Sequence, residues 1–106
     1  MTNYLLLYSG GSMPESDAEQ AVVMGAWDEW YKALGDAVVD LGNPFTPAAK
    51  SIASDGTVSD GPIGSMASGY SVLKADSLDE AVEMSRGCPV LQGGAQISVY
   101  ETFSVM

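Results

Sequence analysis

The chain has 106 residues, close to the common size of a single domain, and 46% of them are apolar, which excludes a disordered polymer. Four cations (Lys32, Lys50, Lys74 and Arg86) face fourteen carboxylates for a formal charge of −10, so neither nucleic acid nor an anionic membrane surface is expected as a partner. Cys88 is the one cysteine, which excludes an intrachain disulfide and fits a reducing compartment.

Tyr4-Leu5-Leu6-Leu7-Tyr8 ends at Ser9-Gly10-Gly11 and reads as a buried strand followed by a turn. It is too short for a signal-peptide core or a membrane span and has no basic leader before it, so a cytoplasmic location is expected. An apolar stripe follows at spacings of three and four: Val22, Val23, Ala26, Trp27, Trp30, Tyr31, Leu34, Ala37, Val38 and Leu41. The stripe predicts one long helix. Ser12-x-x-Glu15 and Ser16-x-x-Glu19 are two possible capping boxes at its start, and Gly42 is the expected stop. Asp28, Lys32 and Asp36 fall four apart on the polar side and are expected to form surface ion pairs.

Beyond Pro44 and Pro47, Asp55-Gly56 stands between Lys50-Ser51-Ile52-Ala53 and Thr57-Val58 as a hairpin signal. Asp60 to Gly64 is loop. Gly69 to Ala75 is a strand, with Tyr70, Val72 and Lys74 on one face and Ser71, Leu73 and Ala75 on the other. Ser77-Leu78-Asp79-Glu80 opens a second helix through Arg86, ended by Gly87 and Pro89. Gln96 to Phe103 is the last strand. The order β-α-β-β-α-β, its middle pair joined through the hairpin and loop, is a ferredoxin-like α+β fold, expected as one domain over residues 1–106.

Two helices cover one face of a four-stranded sheet, yet the strands carry apolar groups on both faces. A bare face would expose a patch that soluble monomers rarely tolerate. A homodimer packed sheet to sheet as an α+β barrel is the simplest remedy.

Asp60-Gly61-Pro62, Ser68-Gly69-Tyr70, Ala75-Asp76-Ser77-Leu78-Asp79-Glu80-Ala81 and Cys88-Pro89 follow the order and spacing of the YCII-related, or DGPF, family. The chain resembles that family from about Tyr4 to Glu101. The resemblance implies a dimeric α+β barrel. For a few relatives it implies cofactor-free lyase or hydrolase chemistry with a His/Asp pair, and for others an association with sigma factors. The sequence departs from the pattern at Ile63, where the motif has Phe, and at Ser65-Met66-Ala67, which replaces a charged stretch. It contains no histidine, so only Asp60 of such a pair could be present.

Asp60 is therefore the best candidate for a catalytic carboxylate. To act as acid or base it would need to be drawn out of water, near Trp27 or Tyr70; otherwise it caps its own turn. Trp27 and Tyr31 lie on the helix face that meets the sheet, Tyr70 on the strand that follows Asp60 and Ser68 just ahead of that strand. Together Trp27, Tyr31, Asp60, Ser68 and Tyr70 form the expected ligand-binding set, in a pocket between the long helix and the sheet. Serine nucleophiles lack a base. Cys88, at a helix C-terminus, reads as packing. Asp55 to Gly61 lacks the ligand pattern of a calcium loop, and Gly10-Gly11-Ser12 lacks the phosphate-loop lysine. No metal and no cofactor are expected. The first expectation is thus a homodimeric, cofactor-free small-molecule-binding domain. The alternatives are a small hydrolase or lyase using Asp60, and a protein-interaction module linked to transcriptional regulation.

Overall fold

The computed structural model describes residues 1–11 and 16–104. A four-stranded antiparallel sheet is built from β1 (Thr2–Ser9), β2 (Val38–Asp40), β5 (Ala67–Ala75) and β6 (Gln96–Glu101), in the order β2-β5-β1-β6. This is the ferredoxin-like order. Two helices, α1 (Asp17–Leu34) and α2 (Leu78–Ser85), pack on one face, and β3 (Lys50–Ile52) with β4 (Val58–Asp60) forms a separate two-stranded hairpin.

Strand alternation decides what lies inside. Tyr4, Leu6 and Tyr8 of β1 are buried beneath the helices, as are Ser71, Leu73 and Ala75 of β5. Leu6, Tyr8, Leu73, Trp30 and Cys88 form the main core cluster, and Trp27, Tyr31, Leu34, Val38, Ile97 and Val99 pack around it. Leu5, Leu7, Tyr70 and Val72 point to the other face, where they are only half-buried, and Tyr100 is exposed. Register joins them: Leu5 sits opposite both Val72 and Tyr100, and Leu7 opposite Tyr70. The apolar open face inferred from the sequence is therefore present in the single chain.

Three features differ from expectation. The first helix stops at Leu34, not at Gly42. Gly35 adopts φ +57° and its N–H closes on the Tyr31 carbonyl, after which Val38 pairs with Leu73 as a strand. The spacing that extends the stripe to Val38 is equally met by a core-facing strand residue. Asp36 consequently falls in a 3-10 turn, off the helix that carries Lys32, and ion pairs form elsewhere among the described residues, between Lys50 and Asp60 and between Glu83 and Arg86. Second, the sheet strand after α1 is β2, while the Asp55-Gly56 hairpin stands outside the sheet. Its turn is as expected: Gly56 has φ +92° and the Asp55 carboxylate accepts the Thr57 N–H at 2.9 Å. Third, the N-terminal end of the stripe is not core, because Val22 is 73% and Val23 37% exposed.

The helix starts follow the sequence. Ser16 accepts the Glu19 N–H and Ser77 the Glu80 N–H, each at 3.1 Å. Ser12-x-x-Glu15 lies outside the described residues. The last strand ends at Glu101, leaving Phe103 exposed. Among the described residues no helix is long and apolar enough to cross a membrane.

Candidate functional site

Beneath α1 the aromatic rings cluster, Trp27 edge to face with Tyr8 and Trp30 and tilted against Tyr31. Trp27 lies 5.8 Å from Tyr8, 5.6 Å from Trp30 and 5.5 Å from Tyr31. The spacing of Trp27, Trp30 and Tyr31 puts all three on the side of the helix that faces β1. Trp30 also ties the two helices together, its indole N–H donating to the Met84 carbonyl at 3.1 Å.

A chain of hydroxyls runs through this interior. Tyr8 donates to Ser71 Oγ at 2.8 Å, and Ser71 donates to the Leu41 carbonyl at 2.8 Å. Tyr31 donates to that same carbonyl at 3.0 Å. Cys88 packs in the same core cluster as Tyr8. Burial pushes the Tyr8 phenol well above its ordinary range, with the Ser71 hydrogen bond opposing and neighbouring Cys88 and Tyr31 adding to the rise. Burial raises Tyr31 and the Cys88 thiol in the same way. These groups are held neutral. They can donate hydrogen bonds but are poorly disposed to act as anionic bases or nucleophiles.

The sign of the pH effect follows. A phenol whose folded pKa lies above its unfolded value near 10 keeps its proton longer in the folded state. Its contribution to stability is whole below about pH 10 and is lost as pH rises beyond it. We expect tyrosinate absorbance from Tyr8 and Tyr31 to appear only with unfolding, and the denaturation midpoint to fall above pH about 10. Smooth titration of all five tyrosines in the folded protein would contradict this.

The five residues expected to share a site do not meet within one chain. Trp27 and Tyr31 are in contact under the helix. Tyr70 points to the opposite face, where its ring stacks on Phe45 at 5.8 Å. The Ser68 carbonyl accepts the Phe45 N–H at 2.8 Å. Asp60 ends β4 on the outlying hairpin, its side chain 93% exposed and paired with Lys50 at 2.9 Å. Between α1 and the sheet, Trp27 and Tyr31 pack with Trp30 around the core cluster.

Two surface grooves open elsewhere. One, of about 450 Å³, lies at the end of β1 and is lined by Ser9, Gly10, Ser65, Met66, Gly94 and Gln96. Ser9 and Gln96 are register partners at the last rung of the β1–β6 pairing. The β1–β5 register shifts just after Tyr8, which breaks the ladder beside them. Among the described residues the lining offers hydroxyls, a carboxamide, glycine backbone and one thioether, and none of them is charged. A smaller cleft of about 180 Å³ lies between α2 and β6, lined by Val82, Ser85, Arg86, Leu91, Ile97 and Val99. Among the described residues no group of three or more His, Cys, Asp or Glu side chains could hold a metal ion.

Sequence reasoning passed over Tyr8, Ser71, Ser9 and Gln96. Tyr8 and Ser71 read as ordinary strand positions, and only the register places their hydroxyls together. Ser9 stands just before the Gly10-Gly11 turn, which was the available signal for a strand end opening onto a groove.

The sequence matches no protein-family model and no curated protein. Among solved structures, the fold is similar to the 5-chloro-2-hydroxyhydroquinone dehydrochlorinase TftG from Burkholderia phenoliruptrix, solved in complex with 2,5-dihydroxybenzoquinone. The TM-score is 0.55 at 18% identity, covering 96% of this chain and 93% of that one. The likeness spans the whole α+β fold and is a likeness of fold.

Proposed function

We propose that the chain is a homodimeric, cofactor-free small-molecule-binding domain of YCII-related type, taking an uncharged, ring-sized polar ligand. The observation that carries the ligand reading is the groove at the end of β1. Its volume of about 450 Å³ lies within the usual range for ligand sites. Its Ser9, Ser65 and Gln96 groups can orient hydroxyl or carbonyl oxygens, and Met66 supplies an apolar surface. A chain of charge −10 disfavours anionic ligands, which points to neutral phenols or alcohols. Support also comes from the dehydrochlorinase fold, whose bound ligand is a hydroxylated ring.

The homodimer reading rests on shape. The radius of gyration is 15.2 Å, whereas a compact chain of this length has about 13 Å. The accessible surface is 7404 Å², roughly 1,800 Å² more than a compact monomer of this mass exposes. A standard interface covers about 800 Å² per partner. A second copy laid on Leu5, Leu7, Tyr70, Val72 and Tyr100 would cover much of that surplus.

Thermal-shift titration with hydroquinone and with the more acidic 2,5-dihydroxybenzoquinone tests the ligand reading. A concentration-dependent rise in Tm is expected, larger for hydroquinone, and weakened by Gln96→Ala. No rise with either compound, or a rise that Gln96→Ala leaves unchanged, would count against this site.

A second reading, a small lyase or hydrolase, is favoured by the activity of the structural neighbour, with Asp60 as the acid–base group. Under it, Asp60→Asn loses turnover of a hydroxylated aromatic substrate while the thermal shift persists.

A further inference from the structure

We propose that the β3–β4 hairpin is a dimerisation arm whose apolar side lies against a second copy of the chain. This rests on the homodimer reading and adds to it a contact outside the sheet face. Each strand of the hairpin has only three residues, and the two pair with each other and not with the main sheet. An isolated two-stranded ribbon is marginal in water without a surface to cover it.

The ribbon has one side built for burial. Ile52 and Val58 are register partners, so their side chains share a face, where they are 66% and 57% exposed. Lys50 and Asp60, two residues along on the same face, close its base as an ion pair at 2.9 Å. The opposite side carries the Ser51–Ser59 pair. The apolar side therefore presents no net charge, which matters when each approaching copy carries −10. Ile63, just beyond β4, is 81% exposed.

A second copy is the occupant that fits. The surplus surface of roughly 1,800 Å² is about twice what one partner contributes to a standard interface, leaving room for a contact beyond the sheet face. The hairpin is also linked to that face. Phe45, on the segment between β2 and β3, stacks on Tyr70 of the open face, and the Pro44–Gly69 bridge fixes this segment to β5.

Sedimentation equilibrium on the full chain, on Ile52→Ser/Val58→Ser and on the sheet-face variant Val72→Asp provides the test. The arm variant is expected to raise the dimer Kd at least about tenfold with an unchanged far-UV spectrum. If the arm variant keeps the wild-type Kd while Val72→Asp dissociates, the arm is overturned and the sheet-face dimer stands. A wild-type chain that sediments as one subunit overturns both. Amide exchange gives a readout free of substitution. Protection across residues 50–60 that rises with chain concentration supports the arm, and exchange independent of concentration counts against it.

Discussion

Gly42→Ala is expected to cost at least about 3 kcal/mol and to lower Tm by more than about 10 °C. Gly42 has φ +75°, which an L side chain adopts only under strain, and a Cβ there would overlap the Tyr70 carbonyl oxygen. That oxygen belongs to the backbone of β5, the second central strand, so it cannot swing aside as a flexible side chain would. The surrounding segment is held on every side. The Asp40 carboxylate accepts the Gly42 N–H at 2.8 Å, the Leu41 carbonyl takes hydroxyl protons from Ser71 and Tyr31, and the Tyr70 N–H donates to Asn43 at 3.3 Å. Gly35→Ala is the internal control. Gly35 also has a positive φ, +57° with ψ −124°, outside the left-handed helical well, but a Cβ there would meet nothing within 4 Å, so only backbone strain of about 1–3 kcal/mol is expected. Denaturant midpoints for the two variants separate overlap from strain. Equal losses would show that the approach of Gly42 to β5 can relax.

The same glycine shows where sequence reading reaches and where it stops. A glycine after a helical stripe is a sound stop signal, and two such glycines, Gly35 and Gly42, stand in line here. Local pattern favours the later one, because Ala37, Val38 and Leu41 continue the spacing. What decides for the earlier is non-local: Val38 finds Leu73 across the sheet, and the chain must turn to reach it. The capping serines Ser16 and Ser77, the Asp55-Gly56 turn and the alternation in β1 and β5 were legible because each depends only on neighbours in sequence. The outlying position of the hairpin was not, since three-residue strands carry no face pattern that says which sheet they join.

The candidate site was less legible still, for a related reason. Trp27 and Tyr31 were found because helical spacing puts them together, and they are in contact. Asp60 was singled out by a motif, which marks a residue without saying what surrounds it; in the chain it stands in water beside Lys50. The groove at Ser9, Ser65 and Gln96 draws on three segments far apart in sequence, with residue types common in any loop. Only the sheet register brings them to one rim.

For the proposed homodimer, Val72→Asp is expected to give a folded monomer, with the apparent mass falling from twice the 11.0 kDa chain to once. Val72 lies at the middle of the open face, opposite Leu5, and is half-buried in the single chain. The protomer can therefore hydrate an aspartate there, and its own fold should survive. A sheet-to-sheet dimer cannot. Burying one unpaired carboxylate costs about 3–5 kcal/mol, and two-fold symmetry places one from each copy in the interface. The added charge also deepens the repulsion between chains that each carry −10. The dimer Kd should rise at least about a thousandfold. Lys74→Asp, at the end of β5 away from the centre, removes a cation from the same face and should weaken association far less. If the two substitutions act alike, general charge repulsion and not burial of the central rungs governs the assembly, and the packing of Leu5, Leu7 and Val72 against a second sheet would have to be given up.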